Sequence, residues 1–188
     1  RKIFFTLTLI FGGLTAAACE TPVFRYALER WTADNYTLEL PASLSLNELN
    51  EQSNIEIKEG PAEEVKLYCP HRKSPFFTEA AEDFSYAELI DSPARDEIVK
   101  RILSGDSVVW VVLTTGDELP EKAILEKSLR AAEKSLASDK FKLKFSYLQV
   151  PRNSRKERYF ISSLLSIETD LTDIKETIAF PVFGRGRF

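Results

Sequence analysis

The chain has 188 residues, 44% of them hydrophobic and 29% charged, a composition that excludes wholesale disorder and a length that suits one large domain or two small ones. Two cysteines and one histidine exclude a disulfide-dense scaffold, a four-cysteine zinc site and multi-histidine metal chemistry. A net charge of −4 makes no general case for nucleic-acid binding. Methionine is absent, so the natural start is expected one residue upstream of Arg1.

The first element is an address. Arg1 and Lys2 are followed by the uncharged run Ile3–Leu14, then by Thr15-Ala16-Ala17-Ala18 and Cys19. A basic start, a 12-residue apolar region and a small-residue exit predict a signal peptide over residues 1–18. A spanning helix needs about 20 apolar residues, so a permanent transmembrane anchor is the weaker reading. Ala16-x-Ala18 suits ordinary signal peptidase. Ala-Ala-Ala-Cys also resembles a bacterial lipobox, with Ala16 in place of the usual leucine, and in that reading the Cys19 thiol is lipidated. The expected location is the cell envelope, periplasm-facing and anchored to membrane lipid through acylated Cys19; the alternative is a soluble periplasmic protein. Removal of residues 1–18 leaves 23 basic against 29 acidic residues, a net charge of −6, so a covalent anchor rather than charge would hold the chain at anionic lipid.

In the mature chain, Thr21-Pro22 predicts a helix start, with Phe24, Ala27, Leu28 and Trp31 on one face. Alternating patterns predict strands at Tyr36–Leu40, Ile55–Lys58 and Val65–Cys69, with a short helix at Leu44–Leu49 and a fourth strand at Ser74–Thr78. Ser85-Tyr-Ala-Glu88 reads as a capping box and Ser92-Pro93 as a second helix start, with Ala94, Ile98, Ile102, Val99 and Leu103 as its apolar stripe and Gly105 as its stop. The continuous apolar run Ser107–Leu113 predicts a strand buried on both faces. A helix over 120–137, a strand at Phe141–Val150, a helix marked by Phe160, Leu164 and Ile167, and a strand at Ile178–Phe183 come next.

The second half is therefore β-α-β-α-β, which predicts an α/β sheet with a parallel crossover. Each half is expected to share this order, reading strand, helix, strand and then a strand carrying proline, Pro75 in the first and Pro181 in the second. Proline cannot donate to a ladder, so it belongs at an edge, a bulge or a strand start. Both halves resemble degenerate thioredoxin-like modules, 19–105 and 106–188, a fold that places a proline before its third strand. Thr21–Trp31, Asp91–Arg95 leading into Ile98–Trp110, and Ala179–Arg187 resemble a family of exported bacterial lipoprotein-type proteins of thioredoxin-like type without an assigned activity. That resemblance implies a chain that continues past Gly184-Arg-Gly-Arg187 into a further strand and helix.

The chemistry that the residues allow is narrow. Thiol–disulfide exchange needs Cys-x-x-Cys at a helix N-terminus, where the dipole lowers the attacking thiol's pKa. The matching loops are Ala42–Ser45 and Thr114–Asp117, and neither contains cysteine. Cys69 reads as a half-buried packing residue, and a Cys19–Cys69 disulfide requires an unlipidated Cys19. Cys69-Pro70-His71 is too sparse for a closed metal site, His71 reads as an exposed turn residue, and no Gly-x-Ser-x-Gly elbow is present. Gly184–Arg187 reads as a hairpin turn before an anion site, the Arg152–Arg158 basic run as a solvated loop before an acidic-partner site, and Asn35-Tyr36-Thr37 as an idle sequon. No catalytic residue, cofactor or metal is expected. The expected role is binding or scaffolding of a protein or peptide partner, with candidate grooves beside Pro75 and Pro181 and no nucleic-acid partner. The alternative is a thiol-dependent oxidoreductase whose cysteines lie beyond Phe188.

Overall fold

The structure, a computed structural model, describes residues 34–44, 54–61, 63–137 and 143–183. The expected signal region, Cys19, the helix expected after Thr21, most of the Leu44–Leu49 segment and the turn expected at Gly184–Arg187 lie outside the described residues. Among the described residues no helix is long and apolar enough to cross a membrane.

Among the described residues, seven strands form two small sheets in a mixed α/β arrangement. The first contains β1 (Tyr36–Pro41), β2 (Ile55–Gly60), β3 (Glu64–Tyr68) and β4 (Phe77–Ala80) in the order β2-β1-β3-β4. β1 runs parallel to β2 and antiparallel to β3, and β3 is antiparallel to β4. Alternation decides the faces: Leu38 and Leu40 on β1 and Val65 and Leu67 on β3 point into one core, while Glu39, Lys58 and Lys66 align across the other face. The chain passes from β2 to β3 between Gly60 and Glu64, too short for a helix. The two halves therefore do not share one element order.

Two helices come next. α1 (Tyr86–Ile90) is capped by Ser85, whose hydroxyl accepts from the Glu88 amide, as its capping box predicts. α2 (Pro93–Leu103) is capped by Ser92, which accepts from the Arg95 amide, with Pro93 in its first turn, where a missing N–H costs nothing. Gly105, at φ 102°, supplies the left-handed residue past its end. The apolar stripe is narrower than its spacing suggests: Ala94 and Ile98 are buried and Ile102 packs beside them, but Val99 and Leu103 face solvent.

The second sheet is β6-β5-β7, with β5 (Val108–Thr114) at its centre, parallel to β6 (Phe145–Pro151) and antiparallel to β7 (Ile178–Val182). α3 (Lys122–Leu136) makes the parallel crossover and α4 (Arg158–Leu165) joins β6 to β7. Val109, Val111, Val112, Leu113 and Thr114 are all buried, as a central strand covered on both faces requires.

Among the described residues, the buried side chains form two cores. Around the first sheet, Leu38, Leu40, Val65, Leu67 and Leu89 gather about Tyr159. Around the second, Val109, Val111, Leu113, Val150, Phe180 and Val182 gather with Phe160, Ile161 and Leu164. The buried residues of α2, Ala94 and Ile98, belong to this second core, so the helix just before the expected division at residue 105 packs with the strands after that division. α4 serves both cores, because consecutive positions on a helix point in different directions.

Candidate functional site

At the carboxyl end of the parallel β5–β6 pair, where open α/β sheets bind ligands, lies the loop that begins at Thr114. Thr114 is fully buried and its hydroxyl donates to the Gly116 carbonyl at 2.5 Å. Gln149 Nε2 donates to the Asp117 carbonyl at 2.8 Å, and the Arg152 amide donates to the Thr114 carbonyl at 2.9 Å. Thr114–Asp117 is thus a pinned turn. α3 begins only at Lys122, so these residues do not occupy a helix N-terminus, and the dipole that activates a thiol is not presented at them.

The register decides where the two prolines stand. β3 runs antiparallel to β1, with Tyr68 opposite Thr37. The turn after β3 therefore lies at the Tyr36 end of the sheet, where Phe76 packs edge-on against Tyr36 with centroids 6.1 Å apart. Pro75 is exposed in this turn, outside β4, which starts at Phe77 rather than at the expected Ser74. It stands at the opposite end of the sheet from Pro41–Leu44. The proline beside that loop is Pro61, next to Gly60, which pairs with Pro41. By residue type alone Pro61 is only a strand stop; its place at the loop comes from the sheet register.

Pro181 lies within the edge strand β7, opposite Trp110, a position that tolerates a missing donor. Trp110 precedes Thr114 by four residues, about 13 Å of strand. The β7 residue opposite Leu113, beside the pinned turn, is Ile178. Pro181 is exposed on the same sheet face as Trp110, whose indole Nε1 is buried without a hydrogen-bond partner. The prolines are both trans. Neither stands beside its matching loop.

Cys69 is half-buried and unbonded to another cysteine, its Sγ 3.4 Å from Ser166 Oγ on the segment after α4. His71 adopts φ 62°, and its Nε2 lies 3.5 Å from Asp34 Oδ1 at the surface. Arg72 donates to the Ile167 carbonyl at 2.8 Å, so the turn after β3 is tied to the end of α4. Among the described residues no three metal-capable side chains gather.

The basic run of residues 152–158 is largely spent internally. Arg152 donates to the carbonyls of Ile174 at 2.5 Å and Glu176 at 3.1 Å. Arg158 binds Glu88, its Nε lies 3.5 Å from Glu79, and it donates to the Tyr159 hydroxyl at 2.6 Å. Of the basic residues of this run, Arg155 and Lys156 face solvent. Periodicity could not reveal this use of the arginines, because Arg158 reaches Glu88 and Asp83, 70 and 75 positions away.

That network links Glu79, Glu88, Ser92, Glu157, Arg158 and Tyr159 across four elements. Buried Glu157 accepts from Ser92 Oγ at 2.5 Å and from the Ala94 amide at 2.8 Å. The Tyr159 hydroxyl donates to Glu79 and accepts from the Ser85 amide at 3.3 Å. Burial, with the Glu79 carboxylate beside it, pushes the Tyr159 phenol far above its ordinary value. The hydrogen bond from Arg158 holds the Glu88 carboxyl below the usual range. Nothing here is a nucleophile poised beside a base; the cluster closes the fold.

Comparison with known proteins adds no relative: no family model, curated protein or solved structure matches the chain.

Proposed function

We propose that this is an exported cell-envelope protein, lipidated at Cys19 after removal of residues 1–18, whose two sheets are thioredoxin-like modules serving as a non-redox binding or scaffolding unit. The observation that carries the reading is the Thr114–Asp117 turn. It stands at the ligand end of a parallel pair, yet it holds no thiol and begins no helix. The strand order supports the fold comparison: in each sheet a parallel pair is flanked, on the other side of its first strand, by an antiparallel third strand. Fold analogy is a weaker warrant for function than a site, so the partner is read only as a protein or peptide. Its contact surface in the second sheet is better sought at Thr115, Asp117 and the start of β7 than at Pro181, and in the first sheet at Pro41–Leu44 and Pro61 than at Pro75.

Two measurements test this. Intact-mass analysis of the N-terminal peptide from bacterial membranes should show a diacylglyceryl increment on Cys19; an unmodified cysteine ends the lipoprotein reading. A photo-crosslinking residue at Thr115 should join the protein to one defined partner, whereas the same probe at Lys58, on the outer face of the first sheet, should not. Equal capture from both positions, or none from Thr115, overturns the binding-surface reading.

A further inference from the structure

Three consecutive residues, Glu157, Arg158 and Tyr159, reach three different parts of the chain that precede β5. Glu157 holds the start of α2 through Ser92 and Ala94. Arg158 joins Glu79 on β4 to Glu88 on α1, and donates to the Asp83 carbonyl at 3.3 Å. The Tyr159 ring enters the first core, edge-on to Phe77 at 4.8 Å and to Phe84 at 6.2 Å, with the Arg158 guanidinium 4.2 Å above it. The next residues of the same helix, Phe160, Ile161 and Leu164, belong to the second core.

We propose that this first turn of α4 is a conformational latch between the two layers: its release frees β4 and α1 and uncovers the apolar surface of Phe77 and Phe84 while the second sheet stays folded. The physical basis is an asymmetry. β5 is a central strand with apolar cover on both faces, whereas β4 is a four-residue edge strand whose buried neighbours include Tyr159. One guanidinium serves two carboxylates, two carbonyls and the Tyr159 hydroxyl, so its loss removes several contacts at once and leaves Glu79 and Glu88 without their shared cation. Sub-global opening of this kind starts at the least covered cooperative unit.

Hydrogen exchange on the full chain tests the latch. Replacement Arg158→Met should raise amide exchange across residues 77–90 by about tenfold or more, and should raise binding of an apolar dye, with exchange at 108–114 and 145–151 unchanged. Equal acceleration in both sheets, or no acceleration at 77–90, overturns the proposal. Should Arg158→Met fail to fold, native-state exchange of the wild-type chain in sub-denaturing urea gives the same decision. The latch requires 77–90 to open before 108–114, and a single shared opening excludes it.

Discussion

The carboxylate of Glu157 caps a helix whose N-cap residue, Ser92, lies 65 residues earlier in the chain, accepting from Ser92 Oγ at 2.5 Å. Ser92 in turn accepts from the Arg95 amide at 3.2 Å, so a local N-cap and a long-range contact share one hydroxyl. Glu157→Ala would leave the Ser92 hydroxyl and the Ala94 amide buried without their acceptor. The expected cost is roughly 2–4 kcal/mol, read as a fall in the urea midpoint. Glu157→Gln, which keeps an acceptor, should cost less than half as much, and equal losses would show that the hydrogen bonds are not what Glu157 contributes.

Asp106 and Glu88 set part of the acid limit. Burial raises the Asp106 carboxyl, but Lys144 Nζ at 2.5 Å and the Ser146 hydroxyl at 2.5 Å more than offset it, and the net direction is downward. Arg158 lowers Glu88. A carboxyl held below its unfolded value contributes stability above that value, 3.8 for Asp106 and 4.5 for Glu88, and the contribution is lost as pH falls through the folded value. Denaturation across the acid range should therefore show a shallower pH dependence in Asp106→Asn and in Glu88→Gln than in the wild type. Parallel curves would remove these groups from the acid limit.

Gly60 is required by a neighbour, not by a left-handed backbone. A Cβ there would overlap the Glu39 side chain, whose Oε2 accepts from the Tyr68 hydroxyl at 3.1 Å. Gly60→Ala should cost about 1 kcal/mol by displacing Glu39. In a Glu39→Ala background the same change should cost almost nothing. A double-mutant cycle with no coupling would refute this account.

Leu164 is fully buried in the second core, on the helix that also carries Tyr159 into the first. Leu164→Ala should cost roughly 2–5 kcal/mol by the lost transfer energy and the cavity left behind. Leu103→Ala, at an 82% exposed site on α2, should change stability by less than about 0.5 kcal/mol. Similar losses at the two positions would contradict the assignment of faces.

Local elements are legible because their causes are local. The Ser85 and Ser92 caps, the Gly105 stop and the doubly buried β5 each arise from side chains within a few residues of one another. The strands lie nearly where alternation puts them, but Phe141–Val150 starts too early, with Leu143 and Lys144 outside β6, and so does Ser74–Thr78, since Phe76 and Phe77 look alike in a propensity argument. Only pairing with Leu67 shows that β4 begins at Phe77. Val99 and Leu103 show the same limit: spacing places them beside a stripe, and the neighbouring layer decides how wide that stripe is.

By itself, the sequence determined a basic start followed by an uncharged apolar run and small residues up to Cys19, alternating α/β elements after them, and no cysteine in Ala42–Ser45 or Thr114–Asp117. Residue type and spacing carry that information without reference to distant parts of the chain. Tertiary structure decided the rest. Sheet register put Pro75 and Pro181 away from those loops and Pro61 beside one of them, and three consecutive side chains at the start of α4, from its N-cap Glu157 to Tyr159, tied it to elements far back in the chain. Register and long-range polar contacts depend on which surfaces meet, and that is settled only when the layers pack.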